Sequence, residues 1–265
     1  MSQIEKDKVR QEVRKRYAEI AGGGCCCGAA KSSCCSDTLG DASASAKLGY
    51  SEEDMNAVPE GSNMGLGCGN PQAIAALKEG EILLDLGSGG GFDCFLAARQ
   101  VGENGHVIGI DMTPDMISKA RLNAEKGGYV NVEFRLGEIE HLPVADNAVN
   151  AIISNCVINL SPDKKQVFSE AFRVLKSGGR IAISDVVAIK EIPPEVKKDL
   201  SKYSGCVAGA AEVYEIKEML EGVGFKNIKI AVNEASGRFI KDWFPGSGVE
   251  EYVRSSIIEA EKIRS

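Results

Sequence analysis

Ile82-Leu83-Leu84-Asp85-Leu86-Gly87-Ser88-Gly89-Gly90-Gly91-Phe92 is the stretch on which the fold turns. Its first five residues, four of them aliphatic, read as a strand. A glycine-rich turn follows, and Phe92 to Val101 reads as a helix. A strand ending in such a turn lets the backbone pass close to a ligand at the edge of a parallel sheet. A dinucleotide fingerprint would put a small residue at position 92, where this chain has Phe. Asp85 stands ahead of the turn, where a carboxylate lies poorly beside a pyrophosphate and well beside a cationic ligand.

Working outward, His106 to Ile110 is a second strand that ends at Asp111, 26 residues beyond Asp85. A carboxylate there can grip ribose hydroxyls. Thr113-Pro114 opens a helix with Pro in its first turn, and Gly127-Gly128 ends it. Val132 to Arg135 and Ala148 to Ser154 read as strands three and four. Ser161-Pro162 opens a further helix, Gly178-Gly179 closes it, and Arg180 to Val187 is strand five. This alternation predicts an α/β fold with a doubly wound, mostly parallel, Rossmann-like sheet. Asp85, Gly87, Gly89 and Asp111 then belong to a nucleoside cofactor site. Glu138, Ile139 and Asn155, after strands three and four, supply its adenine wall. A ligand carrying ammonium and sulfonium groups, such as S-adenosylmethionine, suits the two acids.

The flanks are less regular. Ile4 to Ile20 reads as an amphipathic helix with Ile4, Val13, Tyr17 and Ile20 on its apolar face, and Gly22 to Lys47 as a flexible boundary rich in Gly, Ala, Ser and Cys. After Pro193-Pro194 the pattern loosens. It suggests a helix near Val213 to Leu220, strands near Phe225 to Val232 and Arg238 to Phe244, and a final helix from Val249. The implied division is an N-terminal helix and Cys-rich segment (1–47), a cofactor-binding core (48–190) and a smaller C-terminal α+β part (191–265) that completes the sheet.

The chain of 265 residues carries a net charge of −7 and no basic stripe, which excludes nucleic acid as a partner. Its densely charged start, Met1 to Tyr17, is neither a signal peptide nor an anchor, and no apolar run approaches the roughly 18 residues of a membrane span. A soluble cytoplasmic protein without a membrane partner is expected. Thiols there stay reduced, and nine cysteines, an odd number with no C-x2-C pair, do not make a disulfide framework. Cys68 lies in Gly65-Leu66-Gly67-Cys68-Gly69-Asn70, Cys156 in Ser154-Asn155-Cys156-Val157, and Cys206 in Ser204-Gly205-Cys206-Val207. The ordinary fate of a free Cys is a small buried apolar side chain, and Cys94, inside the helix after the turn, is assigned to it. For the other three, Gly, Asn and Ser neighbours argue against simple packing. Cys156 follows strand four and should face the cofactor crevice, where Cys68 and Cys206 can converge with it. Soft thiolates select soft, thiophilic centres. His106 and His141 read as strand and loop residues.

Asp85 to Gly91, Asp111-Met112 and Gly137-Glu138-Ile139-Glu140-His141-Leu142-Pro143 resemble the motif series of class I S-adenosylmethionine-dependent methyltransferases. With the settings of Cys68, Cys156 and Cys206 added, the chain is similar to arsenite methyltransferases from about Tyr50 onward. The resemblance implies that the three cysteines hold As(III) and carry the catalysis, and that the glycine turn, Asp111, Met112 and the residues after strand three hold the cofactor. Arsenic bound by three thiolates keeps a lone pair that can attack a sulfonium methyl in line, so no general base is required. Cys25, Cys26, Cys27, Cys34 and Cys35 depart from the family pattern of one or two isolated N-terminal cysteines. Cys34 and Cys35 are the candidates for a redox relay to thioredoxin or glutathione, the alternative for the five N-terminal cysteines being a second, weaker metal-binding cluster. Two other readings remain open: a small-molecule C- or O-methyltransferase of this fold, and a non-catalytic metalloid-binding protein.

Overall fold

The computed structural model describes residues 1–22, 44–197 and 205–263. Cys25, Cys26, Cys27, Cys34 and Cys35, with the roles suggested for them, lie outside the described residues. The chain begins with helix α1 (Gln3–Ala21), started by a capping box in which Ser2 and Glu5 satisfy each other's backbone N–H groups. Its buried stripe runs through Val9, Arg10 and Val13, while Ile4 is exposed. The apolar face is therefore centred nearer the middle of the helix than the sequence pattern implies. Three short helices follow: α2 (Ala44–Lys47), α3 (Glu52–Asn56) and α4 (Gln72–Ala75).

Then comes the alternating unit: β1 (Ile82–Leu86), α5 (Phe92–Val101), β2 (His106–Asp111), α6 (Pro114–Gly127), β3 (Val132–Leu136), β4 (Val149–Asn155), α7 (Lys164–Val174) and β5 (Leu175–Ala188). After the short α8 (Pro194–Lys197) come α9 (Val213–Val223), β6 (Lys226–Asn233), α10 (Gly237–Ile240) and β7 (Val253–Glu261). Among the described residues the sheet has the order β3-β2-β1-β4-β5-β7-β6. The first five strands pair in parallel, and β7 pairs antiparallel with both β5 and β6. Period-two alternation sends Leu84 and Leu86 to the face covered with Phe168 and Phe225, and Leu83 to the face that packs on Phe95 and Ile117. With both faces covered, the ligand-binding edge is the one where β1, β2 and β4 end.

Three sequence expectations change. First, α7 starts at Lys164, capped by Asp163, whose carboxylate accepts from the Gln166 N–H. Ser161-Pro162 precedes it, after a 3-10 turn over Ile158–Leu160. Gly178-Gly179 does not end that helix but lies within β5, at an irregularity in the β4–β5 register, paired with the backbone of Lys262. Second, Arg238 to Phe244 is not a strand. Asn233 and Ser236 turn the chain, and Phe239, Ile240 and Trp243 then fall at helical spacing, with Ile240 buried. Third, the region from Val249 is a single 3-10 turn leading into β7 rather than a helix. Its hydrogen-bond partners lie on strands far away in sequence, so local periodicity does not reveal it.

Candidate functional site: a cofactor crevice meeting a thiol cluster

β1 ends in the glycine turn, whose Gly87 and Ser88 N–H groups donate to the Ile110 carbonyl at 2.8 and 2.9 Å. Gly87, Gly89 and Gly91 have φ of 76°, 50° and 94°, a region that favours glycine. Above the turn opens a crevice of about 1080 Å³, mouth included, walled by Asp85, Asp111, Met112, Ile139 and Asn155 among others. Asp111 accepts from the Gly89 N–H at 3.0 Å and the Thr113 N–H at 2.8 Å, which fixes its carboxylate at the rim.

Asp85 is 3 % exposed. Burial pushes its carboxyl well above the usual range, helped by the negative charge of Asp93 and Asp111 nearby. The Cys94 thiol donates to it at 3.2 Å. A cluster of buried acids short of counter-charge is the electrostatic complement of a cationic ligand. The residues fit S-adenosylmethionine on further grounds. A Cβ added at Gly89 would meet nothing within 4 Å, so the turn leaves open room. The buried Ser88 hydroxyl, which also lines the crevice, has no hydrogen-bond partner among the described residues.

Beside the crevice lie three buried thiols, Cys68, Cys156 and Cys206, exposed by 1, 5 and 4 %. All three belong to one buried cluster, and the sulfurs of Cys68 and Cys156 lie within 4.8 Å of each other and of the Asp185 carboxylate. Cys156 directly follows β4 with its N–H on the Ser184 carbonyl, while the Cys206 thiol donates to the Cys156 carbonyl at 2.9 Å. Both residues have positive φ, 61° and 65°, which costs a non-glycine residue on the order of 1–3 kcal/mol. Burial pushes the Cys68 thiol up to about 11, and burial together with the neighbouring thiols pushes Cys156 well above its ordinary value. Both shifts favour the protonated thiol at Cys68 and Cys156.

Cys68 arrives on a separate segment, and Asn155 holds it there. The Asn155 carbonyl oxygen accepts the Cys68 N–H at 3.0 Å, and its amide donates to Gly69 O, Tyr50 Oη and Asp93 Oδ2 at 2.9, 3.1 and 3.3 Å. Ser255 of β7 donates to the Cys68 carbonyl at 2.8 Å. Asn155 thus lines the crevice but serves to dock the thiol segment. Glu138 leaves the adenine wall: it pairs with Arg10 and Arg14 of α1 at 3.4 and 3.3 Å and is not among the lining residues. Its neighbours Gly137, Ile139 and Glu140 line the crevice instead. Cys94 is fully buried as expected, yet it also hydrogen-bonds Asp85.

Several site residues carry no spacing signal that would have found them. Tyr50 donates to Asp93 Oδ1 at 2.7 Å, and Asp93 follows the Phe92 that interrupts the dinucleotide fingerprint. Asp185, pushed up to about 6 by burial, accepts from Asn159 and its own neighbour's N–H beside the thiols. Lys164, brought down to about 8 by burial, stands in the field of Asp185 and Cys206. Tyr17 of α1 lines the crevice and packs against the apolar cluster that includes the three cysteines.

A methyltransferase-domain family model matches residues 77–224. An arsenite methyltransferase of Halobacterium salinarum is 52% identical over 97% of this chain, which spans 67% of that protein's length. The human arsenite methyltransferase is 42% identical over 54% of this chain, which spans 40% of the human protein. Among solved structures, an arsenic(III) S-adenosylmethionine methyltransferase from Chlamydomonas reinhardtii superposes with a TM-score of 0.61 at 33% identity, covering 85% of this chain and 74% of that one.

Proposed function

We propose that this chain, which belongs to the arsenite methyltransferase family, methylates trivalent arsenic held on the thiols of Cys68, Cys156 and Cys206, with S-adenosylmethionine in the crevice above β1. The observation that supports the assignment of residues is that cysteines from three distant segments share one buried cluster, of which Cys156 lines that crevice. S-adenosylmethionine supplies an electrophilic methyl group on a sulfonium. Asp85 and Asp111 hold its cationic and ribose ends, and Gly89 leaves room for it.

The protein's own part is binding and alignment. Each thiol forms a bond to arsenic and gives its proton to the group it displaces, so arsenite loses three hydroxides as three waters. Because the departing hydroxide takes the proton, thiols with raised pKa values serve as well as thiolates. Trivalent arsenic retains its lone pair, and no side chain needs to remove a proton in the transfer. Methylated arsenicals keep two exchangeable positions, and Cys156 and Cys206, on the scaffold side, suffice for them. Return of arsenic to the trivalent state takes two electrons, from one thioredoxin dithiol or from two glutathione thiols, each route ending in a disulfide, and a reducing cytoplasm is the compartment this chemistry needs. No helix among the described residues is long and apolar enough to cross a membrane.

Radiolabelled methyl transfer to arsenite tests the reading. Cys68→Ser, Cys156→Ser and Cys206→Ser should each abolish turnover on arsenite. A triple variant that still methylates it at the wild-type rate would return the chain to the reading of a small-molecule methyltransferase with incidental cysteines. Arsenite binding without any methyl transfer by the wild type would leave only a metalloid-binding protein.

A further inference from the structure

α1 packs beside the flanking helix α6 and turns one face to the crevice. Arg10, Val13 and Tyr17 line the crevice and sit at the three- and four-residue spacing that places side chains on one helix face. Val9 and Val13 are buried, Tyr17 is partly so, and all three pack into the apolar group that contains Cys68, Cys156 and Cys206. The polar flank of the helix is fastened to the strand-end loops. Lys6 pairs with Asp163 at 2.6 Å, Arg10 with Glu140 at 3.2 Å, and Arg10 and Arg14 with Glu138. Lys119 of α6 donates to the Ala21 carbonyl at the far end.

The aromatic ring on this helix is where both halves of the site meet. Burial raises the Tyr17 phenol well above its ordinary range, and the thiols of Cys206 and Cys156, then the Asp111 carboxylate, add to the effect. Tyr17 lines the same crevice as Cys156 and Asp111, the acid assigned to the cofactor ribose, and packs against the apolar cluster that contains the three cysteines. None of the roles given to the glycine turn, the acids or the cysteines uses it.

We propose that Tyr17 roofs the arsenic site, its ring shutting the thiol cluster off from water and fixing the approach of methyl donor and thiol-bound arsenic. This rests on the function proposed above. Arsenic–sulfur bonds exchange with water and free thiols, so a closed roof keeps arsenic on the cluster until transfer. An aligned, water-poor site also brings the reacting atoms together. The ring performs this task, and the hydroxyl is dispensable.

Two measurements on Tyr17→Phe and Tyr17→Ala test it. The first is the rate at which iodoacetamide modifies Cys68, Cys156 and Cys206 in protein without arsenic or cofactor, followed by peptide mass spectrometry. Tyr17→Ala should react on the order of tenfold faster at these three positions, and Tyr17→Phe like the wild type. The second is single-turnover methyl transfer at saturating arsenite and S-adenosylmethionine. Here Tyr17→Ala should lose about a hundredfold, the scale of a small misalignment, while its calorimetric affinity for S-adenosylmethionine changes far less. If Tyr17→Ala releases α1, seen as new tryptic cleavage at Arg14 or Lys15, Tyr17→Leu keeps the apolar contact and carries the test with the same expected direction. Unchanged labelling and turnover in Tyr17→Ala would overturn the proposal, and so would a Phe variant as open as the Ala variant. A wild type inactive on arsenite would instead refute the proposed function, leaving the labelling result to stand alone.

Discussion

At the scale of single residues, two neighbouring glycines do different work. A Cβ at Gly87 would come within 2.3 Å of Val157 Cγ2, at a φ of 76°. A bulky substitution there deforms the turn itself and does not merely crowd a ligand, so Gly87→Val does not leave the fold intact. Gly89 is the clean probe, because its added Cβ meets only open crevice. Gly89→Ala should weaken S-adenosylmethionine binding at least tenfold by calorimetry, while the positive φ costs about 1 kcal/mol in urea unfolding. Cys94→Ala should do more than loosen packing, since the thiol is the hydrogen-bond donor to buried Asp85. Losing it leaves that carboxyl short of a partner, and a loss of about 1–3 kcal/mol in stability is expected, largely recovered when cofactor binds. Equal stability losses in the free and cofactor-bound protein would argue against this role for Cys94.

At the scale of elements, the segment around Cys68 shows how small residues admit a thiol to a crowded edge. A Cβ at Gly67 would sit 2.6 Å from the Asn155 amide, and one at Gly69 would sit 2.0 Å from Ser184 Oγ. The glycines flanking Cys68 let its backbone press against β4 and β5, where Asn155 and Ser255 hold it. Gly69→Ala should therefore push Cys68 out of the cluster. Turnover of arsenite should drop by about two orders of magnitude, whereas methylarsenite, with two exchangeable positions, should be affected far less. Equal losses on both substrates would mean that the substitution damages more than the Cys68 segment. Asn155→Ala should act in the same direction and more broadly, because Asp93 and Tyr50 also lose a partner.

Across the whole molecule, the two proposed ligand sites draw on different residues at one sheet edge, and their contributions to stability should separate. A ligand at a hundredfold excess over its Kd stabilises the native state by about 2.7 kcal/mol, roughly 5–10 °C in melting temperature for a chain of this size. Arsenite and S-adenosylmethionine should each raise the wild-type melting temperature by about that much. Cys156→Ser should lose most of the arsenite shift and keep the S-adenosylmethionine shift, with Asp85→Ala showing the reverse. Loss of both shifts in Cys156→Ser would mean that the cluster and the crevice are a single site. β7 belongs to this scale too, since it lies between β5 and β6 and its Ser255 reaches Cys68. The C-terminal region is thus part of the sheet that carries the site.

Read from the chain alone, β1, the glycine turn and α5 emerge at their observed bounds, because a run of aliphatic residues, three positive-φ glycines and a helical stretch are local signals. The same locality made Asp85 and Asp111 legible, each at the end of its strand, and singled out Cys68, Cys156 and Cys206 by their neighbours. What the chain did not disclose depends on contact between distant segments. β7 is a strand because β5 and β6 offer it partners on both sides. Asn155 docks Cys68, and Glu138 turns to α1, because of what those residues meet in space. The gathering of the three cysteines into one cluster, with Asp185 beside Cys68 and Cys156 and Tyr17 packed on the cluster, likewise exists only in the folded chain. Propensity and spacing act over a few residues, whereas burial and convergence depend on the packing of the whole sheet edge.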